Sequence, residues 1–180
     1  MKKVSLTIPL FLFMACQSNF DYVLKSNVDP AEKAAIVQAI HLINKHLGCD
    51  LLTFEANKMA ARYSTQIFFK DIDPEIPVDD VVAGKFFHDE NNIEIYRGWQ
   101  NLNNDPKYGM QINVVYLMHE IGHSLGLEHT SSGIMRPSPP IYIALKDWKA
   151  NDGFSKYVWD QFVGDLNKAG ITCELMKDKN

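Results

Sequence analysis

Between Ala34 and Leu47, apolar residues return every three or four positions through Ile36, Val37, Ala39, Ile40 and Ile43. That is the spacing of a helix with one buried stripe. Asp29 and Pro30 open it, an acid at the N-cap and a proline at the first helical position, and Gly48 is placed to close it. His41 and His46 ride on this helix as surface or half-buried residues. The period then shortens. Leu51–Glu55 and Thr65–Lys70 predict strands, the second dense in β-branched and aromatic side chains. Val81–Phe87, the turn His88–Asn92 and Ile93–Tyr96 predict two strands that pair back on each other. Residues 71–80 and 99–108, marked by prolines and amides, read as loops. Helical spacing resumes from Gln111 to Leu125, with Ile112, Val115, Leu117, Met118, Ile121 and Leu125 toward the core. It returns from Ser155 to Lys168, with Tyr157, Val158, Phe162, Val163 and Leu166 inward and Gly170 beyond the end. Helix, strands, then helix make an α+β domain.

The first sixteen residues are unlike the rest. Lys2 and Lys3 precede an almost wholly apolar run from Val4 to Met14, and Ala15-Cys16 ends it. The run is too short to span a bilayer as a mature helix and fits the core of an export signal. Its end resembles the lipobox of bacterial lipoproteins, with Phe13 standing where leucine is most common. Residues 1–15 are therefore expected to be a signal peptide and 16–28, polar and mixed, a tether lipidated at Cys16. The folded domain is expected at 29–180. Such a chain would reach the membrane through its lipidated Cys16 as a cell-envelope lipoprotein, at the outer membrane or cell surface, or otherwise be secreted.

Composition narrows the classes further. With 46% hydrophobic and 22% charged residues, 180 residues make one globular domain, expected as a monomer. A formal net charge of −4 argues against a nucleic-acid partner. Beyond Cys16 stand Cys49 and Cys173. In an oxidising compartment an even pair suggests a disulfide closing a long loop, and two free thiols are the alternative.

The chemistry concentrates at His119-Glu120-Ile121-Gly122-His123-Ser124-Leu125-Gly126-Leu127-Glu128-His129, with Met135 six residues on. On a helix, His119 and His123 differ by about 40° and about 6 Å of rise, so both imidazoles leave one face and can reach one metal ion. Glu120 does not share that face and would sit beside the metal, where it can accept a proton from a water. Gly126 can end the helix in a left-handed conformation, so that His129 returns as a third ligand. Three ligands with a fourth position open is the catalytic zinc arrangement, whereas structural sites are usually closed by four. A lone H-E-x-x-H can be an ordinary amphipathic helix. All five fixed positions together arise by chance on the order of once in 10^5 sequences.

With the extended motif and the downstream Gly133-Ile134-Met135, the chain resembles the metzincin metallopeptidases, and among them the matrixins, including their bacterial members. The likeness runs from about Asp29 to Gly170, is highly specific at 119–129, and is loose elsewhere. It implies His119, His123 and His129 as ligands of one catalytic Zn2+, and Glu120 as general base and acid. It implies Met135 as the Met-turn residue beneath the metal. The implied fold is a small twisted mixed sheet with two helices, the Met-turn and a C-terminal helix. The implied substrate is a polypeptide lying along an edge strand at Val82, Ala83 and Gly84, with Pro137 walling a side-chain pocket. The chain departs from the animal matrixins in a short His129-to-Met135 spacing, in Thr130 and Arg136, in Pro137 where some metzincins carry a tyrosine ligand, and in lacking the residues for a second zinc. A carboxylate, Asp21 or Asp29, could block the open zinc position from the tether. Two other classes compete with the peptidase, a surface-binding lipoprotein with a structural zinc and a zinc amidohydrolase acting on non-peptide substrates.

Overall fold

The computed structural model describes residues 20–24, 28–55, 64–71, 83–97, 109–137 and 153–174. The expected signal segment 1–15, Cys16, Val82, residues 138–142 and nearly all of the two expected loops lie outside the described residues. In chain order the elements are β1 (Phe20–Leu24), α1 (Pro30–Leu47), β2 (Leu52–Glu55), β3 (Thr65–Lys70), β4 (Gly84–Phe87), β5 (Asn92–Tyr96), α2 (Gly109–Ser124) and α3 (Lys156–Lys168). The strands form one mixed sheet in the order β2-β1-β3-β5-β4. All neighbours are parallel except β4, which runs antiparallel to β5 at one edge. This is the α+β arrangement that the periodicity predicts.

One reading is corrected here. Part of the stretch 16–28, expected to be a tether ahead of a domain at 29–180, lies inside the fold: Phe20–Leu24 pairs with β2 on one side and β3 on the other. Tyr22 and Val23 are adjacent and both 1% exposed, so both faces of β1 are covered. Its two acids are also committed. The Asp21 carboxylate accepts from the Thr53 hydroxyl, and Asp29 caps α1, accepting from the Glu32 N–H at 2.8 Å. Both carboxylates are thus engaged within the fold.

Helix α1 begins with a full capping box, since Glu32 also accepts from the Asp29 N–H. Glu32 is buried and receives Arg97, whose Nε and second guanidinium nitrogen reach its two oxygens at 2.6 and 3.2 Å. Near the other end, Asn44 acts as a short strand substitute. Its side chain donates to the Leu52 carbonyl at 2.8 Å and accepts from the Leu52 N–H at 2.9 Å, occupying β2 on the side away from β1. An edge so covered is a poor template for another strand. Cys49, just past α1, is joined to Cys173 by a disulfide.

The core lies where α1 and α2 pack on each other and on the sheet. Ile67, Phe69, Ile93 and Ile95 alternate inward and stand opposite one another in register across β3 and β5. On the other face Glu94 pairs with Lys70 and accepts from the Tyr96 hydroxyl at 2.9 Å. Helix α3 shows a second correction. Tyr157, expected inward, is 74% exposed, while Trp159 fills the core and stacks on His46 at 4.1 Å between ring centres.

Candidate metal centre

Helix α2 carries His119 and His123 one turn apart and then stops. Gly126 adopts φ +88°, its N–H bonds the His123 carbonyl at 2.9 Å, and the next N–H, of Leu127, bonds the Gly122 carbonyl at 2.9 Å. This pair of bonds is the glycine-terminated helix end anticipated from the sequence, with Leu127 buried as its apolar anchor. The reversal brings His129 back. The Nε2 of His123 lies 3.1 Å from that of His119 and 3.1 Å from that of His129.

The other ring nitrogens explain how two of those three atoms are oriented. His119 Nδ1 lies 2.7 Å from the Ile134 carbonyl, and His123 Nδ1 lies 2.8 Å from the Leu127 carbonyl. A carbonyl only accepts, so each Nδ1 carries the proton and each Nε2 presents a lone pair. Two such lone pairs cannot hydrogen-bond to each other. Their approach is what a shared cation requires, since tetrahedral zinc–nitrogen bonds place ligand nitrogens roughly 3.3 Å apart. Burial, more than the neighbouring His123 and His129, pushes His119 down to about 4, against the opposing pull of the Ile134 carbonyl. Burial also lowers His123, and His129, Glu128 and His88 add smaller effects of mixed sign. At neutral pH His119 and His123 are thus uncharged and able to bind a metal. Among the described residues, His119, His123 and His129 make a three-residue group whose ligand atoms all lie within 4.8 Å of one another.

Glu120 is buried beside this group. Burial raises its carboxyl to about 7, opposed by a hydrogen bond from the Phe86 N–H of β4. Gly84, two residues earlier on β4, faces the same side chain. A Cβ there would lie 3.0 Å from Glu120 Cγ and 3.0 Å from Oε1. Beneath the helix, the turn at 133–135 tucks Met135 under Gly122, where a Cβ would overlap its sulfur. The same turn delivers the Ile134 carbonyl to His119. It is closed by Thr130 N–H donating to the Met135 carbonyl at 2.9 Å. On the far side of α2, the Tyr22 hydroxyl donates to Ser124 Oγ at 2.9 Å, and Ser124 donates to the Ile121 carbonyl, tying β1 to the end of the helix.

Of the residues expected along a substrate edge, Ala83 is buried, with its carbonyl accepting from the Tyr96 N–H at 3.0 Å. Gly84 opens β4 at the sheet edge, and Pro137 is exposed just past the Met135 turn. Sequence reasoning did not find the backbone groups of Ile134, Leu127 and Phe86, because a carbonyl or N–H leaves no mark in residue type. Gly122 stood inside the motif, and only the packing reveals what its missing side chain admits.

No family model matches the chain, and no curated protein sequence matches it either. Among solved structures it is similar to archaemetzincin from Methanopyrus kandleri. The match covers 84% of this chain and 97% of that one, with a TM-score of 0.53 and 13% identity. The chain therefore has a metzincin-type fold, and the three histidines stand together within it.

Proposed function

We propose that the chain is a zinc-dependent endopeptidase acting on extended polypeptides. The observation that carries this reading is the convergence of three Nε2 atoms, two of which present lone pairs because carbonyls hold the proton on Nδ1, next to a buried glutamic acid. A zinc ion held by His119, His123 and His129 would polarise the scissile carbonyl and acidify a water in the open position. Glu120 takes the proton of the attacking water and later gives it to the departing amine. Its raised proton affinity suits both directions of transfer near neutral pH. The Ile134 and Leu127 carbonyls keep His119 and His123 in the ligating tautomer. Strand β4 lies at the sheet edge beside Glu120 and offers main-chain hydrogen bonds to a peptide laid along it, whereas the opposite edge is occupied by Asn44.

The matrixin-type reading is supported by residues 119–129 with Met135 buried below them. Export and anchoring through an acylated Cys16 belong to the same proposal, supported by Lys2, Lys3 and the apolar run, and by a disulfide that suits an oxidising compartment. Labelled fatty acid should enter the parent and not Cys16→Ser.

The activity test uses the full chain. Cleavage of an unfolded polypeptide such as casein should vanish with a chelator and return with zinc. Glu120→Ala should keep the metal and lose cleavage by several orders of magnitude, and His129→Ala should lower metal content. A Glu120→Ala protein that cuts as well as the parent would end this reading.

A further inference from the structure

Gly84 and Phe86 occupy alternate positions on β4, opposite Ile95 and Ile93, so they share the sheet face turned toward the helices. Helix α2 crosses there, and the side chain that meets Gly84 is Glu120. Any side chain at position 84 would begin 3.0 Å from Glu120 Cγ, 3.0 Å from Oε1 and 3.0 Å from Ile95 Cδ1. Such separations lie inside ordinary van der Waals contact, and Ile95, 1% exposed in the core, has nowhere to retreat. The carboxylate would have to turn, and turning gives up its hydrogen bond from the Phe86 N–H.

We propose that Gly84 is a positioning residue for Glu120, leaving room between edge strand and helix for the carboxylate to lie in one orientation against β4. This role is distinct from the substrate contact expected of Gly84 from the sequence. Strand β4 then does two things with two sides. Among the described residues it is an edge of the sheet, and it holds the proton-transfer group still, using one backbone N–H that is consequently withheld from substrate. The inference rests on the proton-transfer role proposed for Glu120, and its catalytic consequence follows from geometry, since a displacement near 1 Å can lower a rate by about 10²-fold.

The test compares Gly84→Ala, Glu120→Ala and the double variant in the full chain. Gly84→Ala should bind zinc with unchanged stoichiometry, keep KM within about twofold and lose roughly 10- to 100-fold in kcat. A second readout needs neither metal nor activity. In chelator-treated protein, Gly84→Ala should lower the melting temperature more when Glu120 is present than in the Glu120→Ala background, where only the contact with Ile95 remains. Should Gly84→Ala fail to fold, recovery of folding in the double variant supports the inference. An equal loss in both backgrounds overturns it, as does a raised KM at unchanged kcat, which would make Gly84 a substrate wall. Full activity of Glu120→Ala would instead sink the peptidase mechanism, and the melting comparison would still decide where the carboxylate sits.

Discussion

A methyl group added at Gly122 probes how the turn under α2 governs the metal ligands. The new carbon would lie 3.1 Å from Met135 Cε and 3.3 Å from Phe162 Cε2, and closer still to the Met135 sulfur. Carbon contacts are optimal at about 3.5–4.0 Å, so three contacts become repulsive at once. Met135 and Phe162 are each 2% exposed and cannot swing into solvent. Overpacking of this kind costs about 1–3 kcal/mol. Against it stands a gain of about 1 kcal/mol, because alanine is the better residue inside a helix. The net is a loss of between about 0 and 2 kcal/mol, or a few degrees in melting temperature, at roughly 2–4 °C per kcal/mol for a chain this long. The effect on metal should be larger. Displacing Met135 drags the neighbouring Ile134 carbonyl from His119 Nδ1, and loss of such a supporting bond lowers metal affinity about 10- to 100-fold. Melting of chelated protein reads the packing, and zinc competition with a chromophoric chelator reads the ligands. Met135→Ala, which makes room, should remove most of the additional effect of Gly122→Ala on affinity. A Gly122→Ala chain that melts higher and holds zinc as tightly as the parent would refute the argument.

Reduction of Cys49–Cys173, which are 124 residues apart, should destabilise the chain by about 4–5 kcal/mol in the loop-entropy account. Cys49→Ser/Cys173→Ser should melt at the reduced protein's temperature and ignore reductant; a parent indifferent to reductant would count against the bridge. Tyr22 sets an alkaline limit, because burial raises its hydroxyl above the ordinary tyrosine range. Below pH about 10 it is protonated folded and unfolded, so its stability is fully present. Above that the unfolded chain loses a proton that the folded one keeps, and stability falls by about 1.4 kcal/mol per pH unit until the folded hydroxyl also ionises. Tyr22→Phe should cost about 1 kcal/mol at neutral pH and make denaturant midpoints decline less steeply above pH 10; equal slopes would contradict the assignment.

The histidine motif was legible because its constraint is local. Spacing on one helix and a glycine at its end put three imidazoles together, and the same periodicity placed α1, β3 and β5 within a residue or two. What escaped was set by distant partners. Strand β1 has no alternation to detect, since Tyr22 and Val23 are buried side by side between two parallel neighbours. Tyr157 and Trp159 lie two positions apart on α3, so only one can face inward, and the choice falls to Trp159, which stacks on His46 far away in the chain. The groups that fix the histidine tautomers belong to the backbone and could not be read from residue type at all.

Placing β1 between β2 and β3 also decides what proteolysis near the N-terminus would do. Among the described residues the sheet has two edges, β2 and β4. Cutting away residues through Leu24 leaves β2 alone on one side and β3-β5-β4 on the other, which doubles the number of unpaired edges and bares two of them along their whole length. It also takes the Tyr22 hydroxyl from Ser124 at the end of the ligand-bearing helix. Trimming past this point therefore cannot release a dormant enzyme. It removes the member that joins the halves of the sheet, and aggregation of the remainder is the outcome to expect.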